Sequence, residues 1–104
     1  MRTESNAKEN ITPGLNIRTS WRVLTIITTP AYCIRVTFID GLLGIVDMSR
    51  LIFSETAGVF ATLRDVDTFN QASVIHGAVT WPGDIDLAPD AMYDAIKAHG
   101  IWVL

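Results

Sequence analysis

Four carboxylates crowd together late in the chain, at Asp84, Asp86, Asp90 and Asp94. Grouped oxygen ligands of this kind are what a divalent cation requires. The spacing lacks the closing glutamate of a calcium loop. Simpler roles account for each residue: Asp84 and Asp86 in a turn, Asp90 at the positive end of a helix, Asp94 on a solvated helical face. The thiol of Cys33 has two candidate bases, His76 and His99. Nucleophilic catalysis needs thiol, base and an oxyanion donor together. Cys33 instead falls inside a strand pattern, His76 at a hairpin turn, and His99 near a helix C-terminus, where the dipole favours a cation. There is no zinc-ligand spacing, and no Walker loop, GxGxxG, HExxH or GxSxG occurs. The expectation is a non-enzyme without metal, cofactor or catalytic residues.

The residues better placed for recognition are Arg50, Arg64, Asp65, Trp81 and Trp102. Arg64 could grip a partner's carboxylate with two parallel hydrogen bonds, although an arginine beside a loop more often braces that loop. Trp81, followed by Pro82, could offer an aromatic platform; pinning a hairpin to a helix from within the core is the commoner use. The closing Ile101-Trp102-Val103-Leu104 is apolar for a chain end and should dock on the core or on a partner. These five residues are the candidate partner-binding set. A small-ligand site, by contrast, would draw on Tyr32, Arg35 or the aspartates around Asp86.

The elements that must position these residues are those of one domain. The chain has 104 residues, 49% of them apolar and 18% charged, which suits one globular core without metal or disulfide support. One cysteine excludes an internal disulfide and fits a reducing compartment. No apolar run approaches the roughly 18 residues of a membrane span. The N-terminus lacks the apolar stretch of a secretory signal, so a cytoplasmic location is expected. The formal net charge is −3. From Trp21 onward, five dispersed cations (Arg22, Arg35, Arg50, Arg64, Lys97) face nine acidic residues. Duplex binding needs a basic face to displace counterions, so nucleic-acid binding by this chain alone is disfavoured.

Residues 1–20 are polar and carry Pro13–Gly14, which reads as a flexible leader before a domain over residues 21–104. Trp21 to Thr28 is rich in β-branched residues and predicts a strand. In Ala31 to Ile39, Tyr32, Ile34, Val36 and Phe38 share one face, and Cys33, Arg35 and Thr37 the other. Asp40–Gly41 predicts a two-residue hairpin turn with both residues at positive φ, and Leu42 to Met48 the return strand. Gly41 and Gly44 both read as hairpin glycines. A short helical turn over Ser49 to Phe53 and a loop over Ser54 to Gly58 follow. A helix near Val66–Gln71 should be capped by Asp65. Two short strands, Ala72 to Ile75 and Ala78 to Trp81, should meet across His76–Gly77. Pro89 suits a first helical turn, and Gly100 the residue just past its end, giving a helix over Pro89 to His99. The fold class is α+β: a three-stranded antiparallel meander followed by α-β-β-α.

Three pieces of this pattern together are similar to one bacterial family. The first is the meander with its Asp40–Gly41 turn. The second is Gly58, Phe60, Leu63, Arg64, Asp65 and Phe69 in GVFATLRDVDTFNQA. The third is Trp81, Pro82, Gly83, Asp86, Leu87, Met92 and Tyr93 in AVTWPGDIDLAPDAMYD. The chain resembles domain of unknown function family 2442 over about Trp21 to Asp94. The resemblance implies a small α+β domain with no established catalytic residues. It also implies a second small protein of toxin-like character encoded alongside. Some members carry a further C-terminal helix-turn-helix, which this sequence, ending at Leu104, leaves no room for. The turn WPGDID is one residue shorter than the commoner WPNGxD form.

The leading expectation is a non-enzymatic protein-interaction module, the accessory or antitoxin-like partner of a toxin-like neighbour. Open sheet edges favour pairing with another chain, and self-association as a homodimer is their simplest use. The alternatives are a transcriptional regulator acting on nucleic acid through a partner, and a small-ligand-binding domain.

Overall fold

The β-branched, alternating first third of the domain folds into the expected meander. A computed structural model describes residues 21–104; the expected leader lies outside the described residues. Strands β1 (Val23–Thr29), β2 (Cys33–Phe38) and β3 (Leu43–Asp47) pair antiparallel in that order. A bulge between Val23 and Thr25 breaks the β1 register. Such an insertion bends its strand, and here it lets the Val23 N–H reach Gly77 C=O at 2.8 Å.

The β2–β3 connection differs from the expected two-residue turn. Phe38 C=O accepts from Gly41 N–H at 2.9 Å, and Phe38 N–H donates to Leu42 C=O at 2.8 Å. Only Gly41 of the Asp40–Gly41 pair has positive φ, at 94°. The result is a three-residue loop closed by a glycine bulge. Asp40 contributes as an acceptor instead, its Oδ1 taking the Leu42 N–H at 3.0 Å.

Helix α1 (Ser49–Ile52) forms the expected turn. Between the expected loop over Ser54 to Gly58 and the expected helix near Val66–Gln71 lies a 3₁₀ helix, Gly58–Arg64, and α2 is confined to Val66–Phe69. Asp65 caps α2 as expected, its side chain accepting from Asp67 N–H at 3.2 Å. Strands β4 (Ser73–Ile75) and β5 (Ala78–Trp81) join across His76–Gly77, both at positive φ. The residues after the Trp81 turn add a short strand, β6 (Ile85–Asp86), which completes a second sheet in the order β4-β5-β6. Helix α3 spans Pro89–His99 and stops at Gly100, whose φ of 79° no β-carbon hinders.

The terminal apolar residues dock on the core as a strand. β7 (Ile101–Val103) pairs parallel with β3, extending the first sheet to β1-β2-β3-β7. Helix α3 is the return path that a parallel neighbour demands. It lies over β3 and β7, and its buried Met92 and Ile96 meet Ile34, Val36, Phe38 and Val46 in one core. Phe69, Val79 and Trp81 continue that core toward the second sheet. Gly44 is therefore not a hairpin glycine. It sits within β3, where Ile96 packs against the bare backbone.

Candidate functional site

The candidate partner-binding residues do not converge on one surface. Trp81 is only 2% exposed, and its indole N–H donates to Phe69 C=O at 2.8 Å. It pins β5 to α2. Arg64 reaches inward along its own chain: Nε donates to Ile52 C=O at 2.8 Å and a terminal nitrogen to Ser54 C=O at 3.2 Å. Its guanidinium also lies 5.8 Å from the Phe53 ring centre. Asp65 is occupied with capping α2 and with the Thr68 hydroxyl at 3.1 Å. Arg50 is exposed and lines an open depression of about 470 Å³ together with Leu51, Ser54, Thr56, Val103 and Leu104. Trp102 is half-buried on β7, beside that depression in the chain.

The ligand-site candidates are also dispersed. Tyr32 leaves the strand at positive φ. Its ring meets Phe53 and Phe69 edge-on at 5.1 and 5.2 Å, and its hydroxyl donates to Arg64 C=O. Arg35 projects from the opposite face of the sheet to Ile34 and Val36. Among the described residues, no three histidine, cysteine, aspartate or glutamate side chains gather to hold a metal ion. Cys33 is half-buried, and burial, followed by the nearby Asp47 carboxylate, pushes its thiol above the ordinary value. A thiol so shifted stays protonated at neutral pH and is a poor nucleophile.

The register assembles a surface that single residues did not announce. With Ile34, Val36, Phe38 and Val46 buried beneath α3, the alternate residues of the first sheet face outward. Ile27 pairs with Arg35, Arg35 with Ile45, and Ile45 with Ile101, one row across all four strands. Beside it run Thr29, Cys33, Asp47 and Val103, and on the other side Thr25, Thr37 and Leu43. Ile27 is 61% exposed, Leu43 67% and Val103 45%. Ile45 and Ile101 are exposed to a similar degree as Val103. No described helix covers this face. Arg35 stands exposed within it and makes no hydrogen bond or ion pair among the described residues. Scattered apolar residues are normal on any surface, whereas a contiguous apolar patch of several hundred Å² marks a contact site.

Ile27 and Ile45 carry no polar or aromatic signal of their own, and Ile101 stands out in the sequence only as part of the apolar chain end. A signal did exist. Ile26–Ile27 and Leu42–Leu43 break alternation with apolar residues on both faces, as in strands covered on both sides.

Together these features define a small α+β domain of two sheets and one long helix, with one broad sheet face left open among the described residues. The chain belongs to the family described as protein of unknown function (DUF2442), which matches residues 23–98. No curated protein and no solved structure matches it. No helix among the described residues is long and apolar enough to cross a membrane.

Proposed function

We propose that this chain is a non-enzymatic protein-interaction module of the cytoplasm, acting as the accessory or antitoxin-like partner of a small toxin-like protein encoded beside it. One observation carries the interaction reading: the Ile27–Arg35–Ile45–Ile101 row lies on a four-stranded sheet face that no other described element covers. Burying such a row gains roughly 25 cal/mol per Å² of apolar surface. The toxin-like neighbour is the part drawn from the family resemblance. The acidic charge balance supports a protein partner over a nucleic acid.

The test is affinity co-purification of the tagged chain from its native host, with nuclease and high salt, followed by light-scattering mass. The reading expects a stoichiometric second small protein, lost when Ile45→Lys is introduced. Recovery of the chain with no second protein would refute the partner reading.

A further inference from the structure

We infer that the outer face of the four-stranded sheet is covered by a second copy of this chain, with Arg35 of each copy set against Asp47 of the other. The inference rests on the interaction reading above and gives this face to self-association, so that the toxin-like neighbour binds the assembled dimer and is lost with it in Ile45→Lys.

The charges on the face select the occupant. The three outward rows hold one cation, Arg35, and one carboxylate, Asp47. The two are diagonal neighbours on adjacent strands, since Arg35 pairs with Ile45 and Asp47 with Cys33. They form no ion pair among the described residues, and Asp47 Oδ1 is already occupied by the Ser49 hydroxyl and N–H at 2.7 and 3.0 Å. An arginine flanked by two isoleucines cannot be covered without an acceptor, because a buried unpaired charge is costly. A two-fold axis lying between the sheets, through the midpoint of the Arg35–Asp47 diagonal, supplies that acceptor twice. Every residue contacted in one copy is then contacted in the other, as a two-fold interface requires.

Size sets the strength of the association. Strands about 4.8 Å apart and three to seven residues long make a face of roughly 19 by 17 Å. Such a footprint lies below the roughly 800 Å² per partner of a standard interface, so the dimer is a weak, concentration-dependent one. Stacked sheets lie about 10 Å apart with interdigitated side chains, and Ile27, Leu43, Ile45, Ile101 and Val103 supply the apolar filling. The same axis runs near Cys33 and Ile45, which form the other diagonal of the central quartet. Cys33 of one copy therefore comes close to Cys33 of the other, and it is the chain's only cysteine.

The experiment uses the full chain. Its mass is followed by sedimentation equilibrium across a hundredfold concentration range, with a short bismaleimide cross-linker added in parallel. The expected result is a dimer that cross-links through Cys33. Arg35→Glu and Ile45→Lys should each weaken the dimer at least tenfold and abolish the cross-link, with circular dichroism unchanged. Mixing Arg35→Glu with Asp47→Lys chains should restore a mixed dimer. A monomer at every concentration would overturn the inference, even if co-purification finds a different protein on this face and so upholds the interaction reading. A dimer that neither cross-links nor responds to Arg35→Glu would place the contact elsewhere, for example at the β7 edge, and would overturn it equally.

Discussion

Ile96 occupies the space that a side chain at Gly44 would need: a Cβ built on Gly44 would stand 2.3 Å from Ile96 Cγ2 and 2.9 Å from its Cδ1. The glycine thus sets how closely α3 approaches β3, and through α3 it fixes where β7 begins. Gly44→Ala should destabilise the fold by about 1–3 kcal/mol, the usual cost of overpacking. Ile96→Ala alone should cost about 2–5 kcal/mol. The double variant should lose less than the sum, because the new methyl group enters the vacated space. Urea unfolding of the four chains of this cycle is the measurement. Strict additivity would show that the two residues do not share one space.

Trp81 joins the second sheet to the helical segment by a single hydrogen bond and a ring contact. Its indole N–H meets Phe69 C=O at 2.8 Å, and the two rings lie 6.0 Å apart. Trp81→Phe keeps most of the apolar volume but removes the donor. The Phe69 carbonyl then keeps only the Ala72 N–H, at 3.2 Å, a loss of about 0.5–1.5 kcal/mol. A change within the ±0.5 kcal/mol typical of surface positions would contradict this assignment.

Arg64 acts as a clamp on the segment after α1. It holds the Ile52 and Ser54 carbonyls with two different nitrogens. Lysine has one charged nitrogen and no planar fork, so it cannot hold both acceptors in this way. Arg64→Lys should therefore speed amide hydrogen exchange through Ile52 to Thr56 while costing about 1 kcal/mol globally. Were Arg64 instead a contact for a partner, the substitution would weaken partner binding and leave local exchange unchanged.

The parts of the fold set by local chemistry were legible in the sequence. Pro89 and Gly100 marked both ends of α3, Asp65 its capping role, and alternation the inward Ile34, Val36 and Phe38. What escaped was set by distant partners. Ile101–Val103 becomes a strand only because β3 offers an edge 56 residues earlier in register, Val46 against Trp102 among the pairs. Ile85–Asp86 is too short to signal a strand without β5 beside it. Gly44 looked like a turn glycine because nothing local records that Ile96 will lie on it. The open face was illegible for the same reason: each exposed isoleucine is ordinary, and only the register lines up Ile27, Ile45 and Ile101 with Arg35 between them.

Asp47 and Cys33 shift in opposite directions and are coupled across the β2–β3 pair. The Ser49 hydroxyl, then the Ser49 N–H, hold the Asp47 carboxyl below its ordinary 3.8. Its stabilising contribution is therefore complete above pH 3.8 and is lost as pH falls from there through the lower folded-state value. Asp47→Asn can still accept from Ser49 but without charge, so its melting temperature should sit below wild type by a constant amount down to about pH 4. Below that the gap should close. Cys33 is raised above its ordinary 9.0 by burial first, and only then by the Asp47 charge and hydrogen bond. Its contribution is fully present below pH 9.0 and disappears as pH rises through the folded-state value. Because burial ranks first, Asp47→Asn should lower the Cys33 titration only in part, leaving it above 9.0. Thiolate ultraviolet absorbance against pH reads this directly. If Asp47→Asn leaves that titration where it was, carboxylate and thiol are not neighbours, and the outward row of Thr29, Cys33, Asp47 and Val103 cannot stand in this register.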